Sequence, residues 1–215
     1  MRAFDSAAGW GWVTRALHWT MAAVILFQLG FGLYMVQAVP DLLQRFTLTQ
    51  LHKSWGFVVF VLALIRVGWR LANRRRPALP AGMPAWQVRA AGLSHLLLYI
   101  LMFVMPISGW IMASASPTQD LLQMQNMVFG AFALPDPFVP GVQHVEDVAR
   151  SIHVDAAIIL SAILAVHAGA ALKHQFVDRD GVLAAMVFGN ARSRPRTSGG
   201  AGLRVRPPRA PGGST

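Results

Sequence analysis

Apolar residues gather along this chain in four long blocks, roughly residues 16–36, 51–69, 93–113 and 152–172, with polar stretches between them. A bilayer's hydrocarbon core takes about 20 residues of helix to cross. Each block therefore predicts one spanning helix, because lipid offers no water to unpaired backbone groups and a single segment meets that demand only as a helix. Pro106 lies inside the third block and predicts a kink, since it removes one backbone donor. Residues 114–150 form a long loop. Within it, residues 121–134 are moderately apolar but too short to span, and read as a lid lying on the membrane surface. Trp10, Trp12, Trp19, Trp55, Trp69 and Trp110 fall near helix ends, as an interfacial aromatic belt would place them.

Composition supports a bilayer as solvent. Hydrophobic residues make up 54% of the 215 and charged residues 13%, against about a quarter charged in a soluble domain. The absence of cysteine excludes disulfides, thiolate metal sites, iron–sulfur clusters and covalent haem attachment. A net charge of +10 would suit nucleic acid, but its distribution does not, so no nucleic-acid partner is expected. The basic residues crowd the ends of apolar runs and a Gly-, Pro-, Ser- and Arg-rich tail. Residues 1–190 read as one transmembrane domain and 191–215 as a disordered basic tail.

Orientation follows from the loops. The segment between the second and third blocks carries Arg66, Arg70, Arg74, Arg75, Arg76 and Arg89, whereas the loop before the fourth holds Asp120, Asp136, Glu146 and Asp147 against Arg150. The positive-inside rule puts both termini in the cytoplasm. The expected architecture is all-α, an integral membrane four-helix bundle. Val36-Gln37-Ala38 has the form of a signal-peptidase site, but the run before it is longer than a signal core and reads as a span.

Six of the seven histidines lie in or beside the apolar helices. Ionisable side chains at membrane depth are costly and mark function by default. Taken singly, each would be a neutral imidazole bonded to a neighbouring helix. Topology instead sorts them into two layers. His18 begins the first helix and His167 lies far along the fourth, both toward the cytoplasm; His52 and His153 both lie toward the periplasm. His153 and His167 are fourteen positions apart, just under four turns, so they share a helix face about 21 Å apart along the axis. A two-imidazole layer is poor for zinc, which wants four ligands or three and a water. It suits haem b, whose macrocycle supplies the equatorial nitrogens. Gly30, Gly32, Gly56 and Gly169 would let a porphyrin face approach the backbone, or simply let helices pack closely.

Four stretches of this sequence resemble the bacterial cytochrome b561 family, four-helix membrane proteins with two b haems. They are Arg15-Ala16-Leu17-His18-Trp19; Leu51-His52-Lys53-Ser54-Trp55-Gly56; Leu93-Ser94-His95 with Pro106-Ile107-Ser108-Gly109; and Ser151-Ile152-His153 with Val166-His167-Ala168-Gly169-Ala170-Ala171-Leu172-Lys173-His174. The resemblance implies His18, His52, His153 and His167 as axial ligands of the haem irons, and ubiquinone as the redox partner in the membrane. It implies a quinone site near the inner haem at His174, where an imidazole can bond a quinone oxygen and move a proton. Three roles are open to His95: competing with His18 for the iron, orienting a haem propionate or quinone, or bonding a neighbouring helix. Arg15, Lys53, Arg66 and Arg70 are candidates to pair with the anionic propionates, or are snorkelling charges. His144 belongs to the outer loop, solvent-exposed or a minor contact of the lid.

The expected function is transmembrane di-haem b electron transfer between the periplasmic side and ubiquinone, in a multi-pass protein of the bacterial inner membrane. Some family members oxidise superoxide and reduce ubiquinone, which would make the chain an enzyme. That chemistry calls for a basic funnel, yet the outer loops hold Arg45, Lys53 and Arg150 against Asp41, Asp120, Asp136, Glu146 and Asp147. The rival readings are a cytochrome subunit anchoring a separate dehydrogenase or other redox protein, and a haem-free, histidine-lined transporter.

Overall fold

Asp41 starts the second helix well before hydropathy alone would. Its Oδ1 accepts the backbone N–H of Gln44 at 2.7 Å, a cap that answers one of the four orphan donors at a helix start. The computed structural model describes residues 2–80 and 82–189; the tail at 191–215 lies outside the described residues. Four long helices dominate: α1 (Trp12–Gln37), α2 (Leu42–Ala72), α3 (Ala85–Ser114) and α5 (Gln143–Lys173). All four are long and apolar enough to cross a membrane, and they form an all-α membrane bundle. Each of α2, α3 and α5 begins about two turns before its apolar block, because polar turns such as Glu146, Asp147 and Arg150 of α5 extend the helix beyond the apolar run. α3 passes through Pro106 as one helix.

α3 and α5 share the largest helix contact; α2 packs against both α1 and α3. The buried core is Met21 and Ile25 of α1, Val59 and Ala63 of α2, Leu101 and Met102 of α3, and Ala156 and Leu160 of α5. Every one lies, along its own helix, between the two histidine layers. Large apolar side chains such as Leu26, Leu33, Leu64, Ile158 and Val166 are at least half exposed around the outside, as a lipid-facing surface requires.

The stretch read as a surface lid is built from a short helix α4 (Pro117–Leu121) and an antiparallel hairpin, β1 (Asn126–Val128) with β2 (Phe132–Leu134). Phe129 and Gly130 turn it with positive φ. Ser54 of α2 holds the turn: its Oγ accepts the Phe129 N–H at 2.9 Å, and the Trp55 and Phe129 rings meet edge to face at 5.6 Å. At the opposite end, the first residues fold back on α1. Asp5 Oδ1 accepts the Gly11 N–H at 2.7 Å, and a Cβ at Gly11 would stand 2.1 Å from the Ala3 carbonyl oxygen, so only glycine fits. α5 runs into a π-helical turn (His174–Asp178), and α6 (Val182–Phe188) returns along the bundle end. There Arg15 Nη1 donates to the Val187 carbonyl at 2.7 Å and Trp19 Nε1 to that of Met186 at 3.1 Å. The described N-terminal and C-terminal segments thus meet at one end, as an even number of crossings demands.

Candidate functional site

The helices bring five histidines into two layers. In one, the ring centres of His52 (α2) and His153 (α5) are 6.4 Å apart. In the other, His18 (α1) and His167 (α5) are 6.3 Å apart, and His95 (α3) stands 5.3 Å from His167. The topological pairing read from the sequence is therefore present in space.

Those spacings have a chemical meaning. A metal–imidazole bond of about 2.0–2.1 Å, plus roughly 1.2 Å from ring nitrogen to ring centre, sets two imidazoles trans across one ion about 6.4 Å apart. Both pairs match that span. The His95–His167 distance falls short of it by roughly 1 Å on the same reckoning. His95 is thus too close to His167 to face it across a metal, and is well placed as its packing neighbour.

Donor chemistry distinguishes the layers. His153 Nδ1 lies 3.1 Å from the Met105 carbonyl oxygen and 3.1 Å from Ser108 Oγ. A carbonyl only accepts, so Nδ1 carries the hydrogen and Nε2 is left with a free lone pair, the tautomer a metal needs. His52 Nδ1 is buried and has no partner among the described residues, while its backbone carbonyl takes Gln28 Nε2 at 3.0 Å. Two glycines make room for these rings. A Cβ at Gly32 would stand 3.3 Å from His52 Cε1, and one at Gly109 would stand 3.2 Å from His153 Cε1. Of the glycines singled out from the sequence, only Gly32 faces a histidine. A Cβ at Gly30 or Gly169 would meet nothing within 4 Å, and one at Gly56 would meet Gln28. Ser108 and Gly109 were visible only as a motif; their role as partners of His153 depends on how α3 and α5 are registered.

In the other layer, Arg66 Nη2 donates to His18 Nδ1 at 3.2 Å, and its guanidinium lies over the Tyr99 ring at 5.7 Å; this contact leaves the ring hydrogen on Nε2, so His18 would take a metal through Nε2 only with Arg66 turned away and the hydrogen on Nδ1. Arg66 thus belongs to the layer directly, on the same α2 stretch as Arg70. Arg15 keeps Nη1 on the Val187 carbonyl, while its Nε is buried without a partner among the described residues. Lys53, next to His52, sends its ammonium into the hairpin, 2.6 Å from Asn126 Oδ1 and 3.4 Å from Gln119 Oε1. Asp136 gathers the same network, accepting from Ser114, Gln119 and Asn126. His144 is exposed at the start of α5. His174 stands apart from both layers, in the π-turn, with Asp178 and Asp180 around it.

Donor set and spacing fit a hexacoordinate haem: two facing imidazoles per layer, a fixed free-nitrogen tautomer on His153, glycines beside two of the rings, and no carboxylate reaching either pair among the described residues. Comparison with known proteins agrees. The sequence model for prokaryotic cytochrome b561 matches residues 9–189. The chain is 31% identical over 179 residues to cytochrome b561 homolog 2 of Escherichia coli (strain K12), covering 83% of this chain and 90% of that protein. It is 30% identical over 138 residues to cytochrome b561 homolog 1 of the same organism, covering 63% and 72% respectively.

Proposed function

The chain belongs to the prokaryotic cytochrome b561 family, and on that footing we propose that it is a two-haem carrier moving electrons between the periplasmic side and ubiquinone in the bacterial inner membrane. A bacterial membrane protein of haem b electron transfer is what the family implies; the number of haems, the quinone and the sidedness are our reading. The observation that carries it is that the bundle brings His18 to 6.3 Å from His167 and His52 to 6.4 Å from His153, ring centre to ring centre, distances at which each pair could hold one metal. Bound haem b supplies a one-electron ferric/ferrous couple in the apolar interior.

The residues of this chain do the rest. His52 and His153 would hold one iron, and His18 and His167 the other. The Met105 carbonyl and Ser108 keep His153 in its ligating tautomer. Arg66, already in the inner layer, is the best-placed cation for a propionate there, and the buried Nε of Arg15, without a partner among the described residues, is a second. We place quinone at the same end, beside His174. For superoxide as the donor, the opposite face offers little steering. Its cations Arg45, Lys53 and Arg150 stand against Asp41, Asp120, Asp136, Glu146 and Asp147, and Arg150 is paired with Glu146. A docked redox partner suits that face better than a small anion drawn in by field.

A reduced-minus-oxidised spectrum of the purified chain with haem quantitation tests the reading. Two haems per chain with low-spin, bis-imidazole bands are expected; a colourless protein, or one haem per chain, would overturn it.

Gly109 gives a finer test. In Gly109→Ala the new methyl stands 3.2 Å from His153 Cε1 and 3.4 Å from Nδ1, and moving the ring away strains its bonds to Met105 and Ser108. Losing one such bond costs about 0.5–1.5 kcal/mol. Haem retention at that site should weaken severalfold in a titration with an apo-haem acceptor, while the other site keeps its affinity.

A further inference from the structure

The end of α5 does something a plain helix terminus would not. The helix widens into the π-turn, Arg179 takes a left-handed conformation (φ 52°), and Gly181 does the same (φ 82°). Single-turn π segments often mark functional positions, and left-handed backbone in a non-glycine residue is uncommon and needs local support. Here it folds Asp180 back beside His174. The His174 carbonyl accepts the Asp180 backbone N–H at 3.3 Å. Asp180 Oδ2 takes His174 Nδ1 at 2.6 Å, and Oδ1 takes the Val182 N–H at 3.1 Å. Both carboxylate oxygens are therefore fixed, one on the imidazole and one on the first turn of α6.

Among the described residues, the charges near this pair are few. Asp178 Oδ2 also lies 3.2 Å from His174 Nδ1, but it holds Lys173 Nζ at 2.6 Å, so its charge is already balanced. Arg179 Nε donates to the Phe176 carbonyl. α6, packed against the turn, carries no titratable side chain between Val182 and Phe188, and the facing α1 contributes Arg15, which is held by the Val187 carbonyl. With Lys173 paired to Asp178, His174 and Asp180 form an imidazole–carboxylate dyad.

We propose that Asp180 is the positioning residue for quinone protonation: by accepting Nδ1–H it fixes the ring and tautomer of His174, and so presents Nε2 to a quinone oxygen. This rests on the assignment of His174 to the quinone site above. Quinone becomes quinol by taking two electrons and two protons. The electrons come from the redox chemistry proposed above. For each proton delivered here, the Nε2–H bond of the protonated imidazole breaks and an O–H bond forms on the quinone. The ring is left neutral with Nδ1–H still on Asp180, and Nε2 is reloaded from water at this face. In quinol oxidation the same Nε2 lone pair receives the proton. A fixed carboxylate behind an imidazole is a known means of setting tautomer in proton-transfer sites.

Asp180→Asn tests it sharply. Asparagine keeps Oδ1 for the Val182 N–H but turns an N–H donor toward His174 Nδ1; made together with Asp178→Asn, which removes the other carboxylate 3.2 Å from Nδ1, it forces Nδ1 to accept and moves the ring hydrogen to Nε2. Nitrogen-15 spectra of histidine-labelled full chain with its haems reduced, in lipid nanodiscs, should show His174 as the Nδ1–H tautomer in the native protein and as Nε2–H in the double variant. Quinone turnover should drop about ten- to hundredfold in kcat with little change in KM, as for other partners that orient a working imidazole. Asp180→Glu, which retains a carboxylate, should keep the Nδ1–H tautomer, and haem spectra should be the same throughout. An unchanged tautomer and kcat in the double variant, with turnover impaired in His174→Gln, would overturn the dyad and leave the quinone assignment standing. Normal turnover in His174→Gln would overturn the quinone assignment itself.

Discussion

Replacing His153 with alanine is expected to remove one of two haems and leave the other with its bands unchanged, and His52→Ala should do the same to the same haem. The pair shares one metal-spanning distance of 6.4 Å, so either deletion leaves an iron with one protein ligand in an apolar interior, where nothing nearby replaces it. Met105 and Ser108 make the two variants unequal in a second respect. Without the His153 ring, the Met105 carbonyl keeps Ser108 Oγ as a partner at 3.1 Å, so the bundle should fold. The measurement is haem per chain by pyridine haemochrome, together with the difference spectrum. Electron transfer from the periplasmic side should fall to background in both. Two intact haems in either variant, or loss of different haems in the two, would show that the iron is held by other side chains.

The second large effect separates the three histidines of the other layer. His167→Ala is expected to abolish the haem proposed for that layer, because both other imidazoles of the layer stand next to it, at 6.3 and 5.3 Å. His18→Ala should abolish the same haem, although His95 remains next to His167. Their ring centres are 5.3 Å apart, about 1 Å inside the span of two imidazoles on one metal, so His95 does not replace His18 without a change of side-chain rotamer. His95→Ala should therefore keep both haems. Difference spectra of the three variants decide this. Loss in His95→Ala with retention in His18→Ala would exchange the roles of the two residues and refute the distance argument.

The sequence carried the positions of His18, His52, His153 and His167 because two simple rules place them. Hydropathy sets the four spans, and alternating direction sorts each histidine to one leaflet. Helix boundaries were less visible, since Asp41 and the polar turns of α2 and α5 extend helices into stretches that hydropathy reads as loop. The hairpin at Asn126–Leu134 could not be seen in an apolar run that short; its strands are three residues each and depend on Ser54 and Trp55 of a distant helix. Lys53 shows the same limit. Its place beside His52 suggested a propionate, whereas its ammonium is directed into the hairpin's Asn126. Asp180 escaped notice because it sits six positions from His174, a separation that would put them on different sides of an ordinary helix. Only the π-turn and the left-handed Arg179 bring them together.

The core packed between the two histidine layers, Met21, Ile25, Val59, Ala63, Leu101, Met102, Ala156 and Leu160, is wholly apolar. Those side chains offer a proton no hydrogen-bonding group, whereas an electron needs none. Any charge that passes between the layers then goes uncompensated and does work against the voltage across the bilayer, about 2.3 kcal/mol per elementary charge for each 100 mV over the full thickness. On the proposed sidedness, an electron moving inward and quinone drawing its protons from the cytoplasm both act in one electrical sense, so the energised state of the cell would brake turnover directly.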